Sequence, residues 1–192
     1  MSSTIEAYRD EVHQAAATVP ASRISEAARA LLDVHRRQGT VFVLCPPEDG
    51  ESVRHFVHGL EQGIGAGPFR FRLVSLYGAP SQVVAWQNDW AYEDVYARQM
   101  HGEIRAGDAV IAVSRRGQGL GLVRALQVAR RAGAATLAVV GFDGGEVKGL
   151  ADVCLHVRCS RLEQVDDVQM MLAHMLCAEL RRLLSTDSPR KA

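Results

Sequence analysis

Residues 108–132 read DAVIAVSRRGQGLGLVRALQVARRA, and this stretch decides the fold. An apolar run over 109–113 ends at Ser114 and turns through Gly117, Gly119 and Gly121. It then opens a helix with Leu122, Ala125, Leu126 and Ala129 on one face. Strand, glycine turn and helix in that order aim backbone N–H groups and a helix dipole at an anion. Upstream, residues 41–45 (VFVLC) are a continuous apolar run suited to a parallel strand buried on both faces. Val53, Phe56, Val57 and Leu60 then begin a helix. The pattern predicts a second strand over 71–76, a helix over 92–104 and strands over 136–140 and 153–157. A Gly141–Gly145 turn separates the last two strands. A final helix over 163–184 runs on Val165, Val168, Met171, Leu172, Met175, Leu176 and Leu180.

The first 38 residues predict two helices. Ile5, Tyr8, Val12 and Ala16 share a face of the first, Pro20 breaks the pattern, and Ser22 is placed to cap the second. We therefore divide the chain into N-terminal helices (1–38) that pack on the domain and an oligomer interface, an α/β domain (39–184), and a disordered tail (185–192). Strands alternating with helices mean a parallel sheet with right-handed crossovers and helices on both faces. Ligands then bind outside the carboxyl ends of the strands, near residues 45–52, 114–121 and 141–145.

The bounds agree. At 192 residues, 47% hydrophobic and 23% charged, the chain suits one ordinary globule. Lys+Arg and Asp+Glu are equal at 22 each, so no global field favours nucleic acid or an anionic membrane. The apolar runs are strand-length, too short to span a bilayer. Four cysteines without CxxC spacing read as reduced thiols in a cytoplasmic protein.

The run 87–99 (QNDWAYEDVYARQ), with 107–111 (GDAVI), 124–126 (RAL), 141–145 (GFDGG), 151–153 (ADV) and 174–177 (HMLC), resembles the sugar isomerase (SIS) domain family. The branch it resembles is phosphoheptose isomerase, which converts sedoheptulose 7-phosphate to a heptose 7-phosphate. The resemblance implies a five-stranded parallel sheet in a flavodoxin-like three-layer sandwich, a homotetramer, and active sites shared between subunits.

Carried over residue by residue, the resemblance is broken at the site. The family's first loop, Gly-Asn-Gly-Gly-Ser-Ala, precedes a helix with a His-x-x-x-Glu pair. Here the loop is Cys45-Pro46-Pro47-Glu48-Asp49-Gly50, Ser52 follows, and the pair falls on His55 and Gly59. The second loop, Ser-Thr-Ser-Gly-Asn-Ser in the family, is Ser114-Arg115-Arg116-Gly117-Gln118-Gly119 here. The aspartate of the family's Asn-Asp step is Asp89. The family's late aspartate, glutamine and histidine fall on Glu163, Asp166 and His174. The resemblance thus implies substrate contacts at Asp49, Ser52, Asp89, Ser114, Arg116, Gly117 and Glu163. It implies a zinc set of His55, Asp166 and His174, with His58 available as a fourth ligand. The blander expectation is a packed His174 and a solvated His55.

Isomerisation through an enediol needs a base at the carbon proton and an acid near the oxygens. His174 is the implied acid, and the implied base has become Gly59. Asp166 and His58 are the remaining candidates for a replacement. Pro46 and Pro47 remove N–H donors from the first loop, and Asp49 repels phosphate. Arg116 either grips a phosphate or pairs with Asp49 or Glu48 and closes the pocket. Two functions follow. One is a sugar-phosphate-binding or regulatory subunit, in a homotetramer or a mixed oligomer with an intact paralogue. The other is an active sedoheptulose 7-phosphate isomerase with a non-standard base and metal site.

Overall fold

Alternation along three central strands builds two cores. The computed structural model describes residues 3–62, 71–77 and 91–187. Strands β1 (Thr40–Leu44), β2 (Arg72–Ser75), β3 (Ala109–Ser114), β4 (Ala135–Val140) and β5 (Val153–His156) form one five-stranded parallel sheet in the order β2-β1-β3-β4-β5. Val41, Val43, Ile111, Val113, Leu137 and Val139 point to one face. There they meet α1 (Thr4–Ala17), α2 (Ala21–Arg36), α3 (Gly50–Gln62) and α7 (Leu162–Asp187). Phe42, Leu44, Val110, Ala112, Ala138 and Val140 point to the other, against α4 (Val95–Met100), α5 (Leu120–Arg131) and α6 (Gly145–Leu150). β1, β3 and β4 are covered on both sides, which is why their interiors are apolar, with Thr136 of β4 the exception.

Several boundaries differ from the sequence pattern. The helix expected over 92–104 is a 3-10 turn, Tyr92–Asp94, followed by the short α4. It stops at Met100 because His101 is extended and Gly102 takes φ +85°. Pro20, not Ser22, occupies the N-cap of α2, with no side-chain bond. The turn after β4 continues into α6, whose single buried residue is Val147. α7 extends through Asp187, so residues 185–187 are helical rather than part of a disordered tail. On α1, Val12 and Ala16 pack on the core as expected, but Ile5 is 80% exposed and Tyr8 39%. Among the described residues no helix is long and apolar enough to cross a membrane.

α2 and α7 are clamped by Glu179, which accepts from Arg182 Nε (2.7 Å) and from Ser25 Oγ (2.9 Å). The Arg182 bond, helped by Ser25, holds the Glu179 carboxyl down at about 2, below its ordinary 4.5. A depressed carboxylate stabilises the fold above its unfolded pKa, and that contribution fades as pH falls toward 2. Glu179→Gln is therefore expected to lower the unfolding midpoint at pH 7, with the gap to wild type closing by pH 2. Denaturant titrations at the two pH values check this.

Candidate active site

The strand order reverses between β1 and β3, and a crevice opens there at the carboxyl ends of the strands. Its walls are the loop after β1, with the 3-10 turn Pro47–Asp49, and the loop 115–119 after β3. The cavity between them is about 420 Å³, the size of a small-ligand pocket. Helix α5 starts beside it at Gly119, with no side-chain cap on its first turn.

Arg115 occupies the middle of this crevice. Its Nε pairs with Asp49 Oδ1, its backbone N–H donates to Asp49 Oδ2 (3.0 Å), and Nη2 donates to the Glu48 carbonyl (2.9 Å). On its other side, Nη1 lies 3.7 Å from Asp166 Oδ2 on α7. Asp49 is 3% exposed. Burial works against the Arg115 charge, but Asp49 outweighs it and holds the guanidinium above its usual pKa. Burial likewise pushes the Asp166 carboxyl up, against the pull of Arg115, and its Oδ1 is buried without a hydrogen-bond partner among the described residues.

The expected closure by Arg116 is therefore a correction: the partner of Asp49 is Arg115. Successive side chains at a strand end leave on opposite sides. Arg115 turns to the β1 loop, and Arg116 turns to the β4 loop, where its Cζ sits 4.5 Å from the centre of the Phe142 ring. Ser114 is buried, and its Oγ accepts from Gly117 N–H (3.0 Å), so the hydroxyl shapes its own loop. Gly117 has φ +65°, and a Cβ there would strike the Gly144 carbonyl. Glycine is required there by the close approach of two loops.

On the helical face of the sheet, His55 of α3 and His174 of α7 bring their Nε2 atoms to 3.2 Å, with the rings edge to face. Two nitrogens about 2.0–2.1 Å from one tetrahedral zinc ion stand about 3.3 Å apart, so this pair fits two corners of such a site. The third expected ligand is elsewhere. Asp166 lies eight residues from His174, about 12 Å along the helix, and is engaged with Arg115. Among the described residues no three His, Cys, Asp or Glu side chains converge on a metal position. The described residues supply two donors where catalytic zinc usually has three, so they do not by themselves fit that ion.

Gly59 lies one turn beyond His55, and a Cβ there would meet Cys177 Sγ at 3.8 Å. His58 is exposed on the same helix, and Glu163 is exposed at the start of α7. The side chain of Ser52 and the whole of Asp89 lie outside the described residues. Two residues of the site were missed in the sequence. Phe142 carries Arg116, signalled only by its glycine-rich turn. Gln169, 4% exposed, donates to the Ser114 and Val139 carbonyls at 3.2 and 3.4 Å and fixes α7 to the ends of β3 and β4. Cys45 is fully buried, and burial pushes its thiol up, away from the reactive thiolate.

No family model matches the chain. Among curated proteins, phosphoheptose isomerase of a Nitratiruptor species is 34% identical over 98 residues, covering 51% of this chain and 52% of that protein. The chain thus matches about half the length of this relative. Phosphoheptose isomerase of Neisseria gonorrhoeae has the same fold, with TM-score 0.80 at 22% identity over 93% of this chain and 97% of that one. A phosphoheptose isomerase from Francisella tularensis aligns with TM-score 0.83 at 20% identity over 95% and 100%. In sequence the chain is similar to phosphoheptose isomerases over about half its length, and it shares their fold.

Proposed function

We propose that this chain binds a sugar phosphate in the β1/β3 crevice without isomerising it, and acts as a binding or regulatory subunit of an oligomer. The observation that carries this reading is Gly59, which presents only hydrogen toward α7 one turn beyond His55. Loss of a placed base removes about 10²–10⁴-fold in rate. The Arg115–Asp49 pair adds to it, since an anion settling in the first loop would meet a buried carboxylate. The open cavity and the relatives' names support a sugar-phosphate ligand. A homotetramer, or a mixed assembly with an intact paralogue, accords with the exposed Ile5 and Tyr8 of α1. Four free thiols accord with the cytoplasm.

One observation favours the second reading, an active isomerase: the His55–His174 contact keeps two imidazoles together one turn from position 59. Sedoheptulose 7-phosphate incubated with the purified protein, with and without zinc, separates the two. The expected result is saturation-transfer signal from bound sugar phosphate and no aldose in the spectrum. Turnover that His174→Ala abolishes would establish the isomerase instead.

A further inference from the structure

We propose that the end of the sheet opposite the crevice carries a second ligand site, which takes the phosphate monoester of a small polyol between Arg37 and Arg130. Because the strands run parallel, the chain enters β1, β3, β4 and β5 at one pole, and the crevice lies at the other. At the entry pole a cavity of about 430 Å³ opens between the ends of α2 and α5, with Arg37, Arg130, Asp33, Asp108 and Asp152 in its wall. Of these charges, only the cations are unanswered. Asp108, 2% exposed, accepts from the Thr40 N–H (2.8 Å) and the Arg105 N–H (2.9 Å). Asp152 Oδ2 accepts from the Thr136 N–H (2.9 Å) and hydroxyl (2.8 Å), and Asp33 Oδ1 from Arg36 Nη1 (3.1 Å). The guanidiniums of Arg37 and Arg130 form no hydrogen bond or ion pair with a described residue.

Both arginines are held in place without spending their donors. α2 and α5 end at this pole, and the carbonyl ends of the helices favour a cation there. The Arg37 stem passes over Gly107, where a Cβ would lie 3.7 Å from Arg37 Cδ. The walls are fixed as well, since Asp108 ties the turn before β3 to the start of β1, and Asp152 ties the start of β5 to β4. Two planar N–H forks in one cavity match the oxygens of a dianion. Asp33 and Asp152 each bond through one oxygen and keep the other to accept a hydroxyl. The same carboxylates repel a polyanion, so the wall selects a small ligand whose charge is confined to one end.

Amide NMR of the isotope-labelled protein, titrated with ribose 5-phosphate, ribose and inorganic phosphate, tests this with spatial resolution. Gly107 and Gly133 border the cavity, whereas Gly117 and Gly119 report the crevice separately. Wild type is expected to show saturable shifts at Gly107 and Gly133 with ribose 5-phosphate, and weaker binding there of ribose and of inorganic phosphate. Arg37→Gln and Arg130→Gln are each expected to weaken the phosphate ester at this pole by roughly 10-fold. Both side chains are exposed, so melting temperatures should not change. Shifts confined to Gly117 and Gly119, or no shifts at all, overturn the site. Unaltered affinity in both variants overturns it too, as does equal affinity at Gly107 and Gly133 for the ester and either of its parts. None of these outcomes decides the crevice reading, which rests on the other pole.

Discussion

Gly59→Glu is expected to create isomerase activity, raising aldose formation from sedoheptulose 7-phosphate by about 10²-fold or more over wild type. The geometry permits the side chain. Among the described residues a Cβ at position 59 meets only Cys177 Sγ, at 3.8 Å, which is ordinary contact. Positions 55 and 59 are four apart on α3 and share a face, so the new carboxylate would reach toward the His55–His174 pair. Gly59→Gln has the same shape and no basicity, and is expected to stay inert. An inert Gly59→Glu that melts normally and binds the sugar phosphate would show that more than a base has been lost.

Arg115→Met is expected to cost about 3 kcal/mol of stability, a fall in Tm of about 6–12 °C. It leaves Asp49 buried, with the Arg115 backbone N–H as its remaining donor. Asp49→Leu is expected to cost less, because Arg115 keeps Asp166, the Glu48 carbonyl and some solvent. The double variant should return to within about 1 kcal/mol of wild type, since replacing a buried pair by apolar groups is often neutral. Denaturant unfolding of the four proteins gives the cycle. An Arg115→Met within about 0.5 kcal/mol of wild type would remove the ion pair from any account of the crevice.

The sheet was legible because both faces of β1, β3 and β4 are buried, and unbroken runs such as residues 41–45 and 109–113 admit little else. α6 was hidden by its two glycines and single buried valine. On α1 periodicity reported an apolar stripe but not what covers its outer end at Ile5 and Tyr8. At the site, the positions came from resemblance, and their contacts came only from geometry. Which of two adjacent arginines faces Asp49 depends on how the chain leaves β3. The approach of His55 to His174 spans 119 residues of sequence. Asp166 looked like a co-ligand of His174; eight residues of α7 and the pull of Arg115 separate them.

The central claim is that nothing in this crevice removes the sugar's carbon-bound proton. Sedoheptulose 7-phosphate held with the protein in D₂O, followed by proton NMR, tests it without requiring product release. The account predicts binding with no deuterium at the carbons flanking the carbonyl, with or without zinc. Deuterium entering there, and ceasing in His174→Ala or His58→Ala, would contradict it.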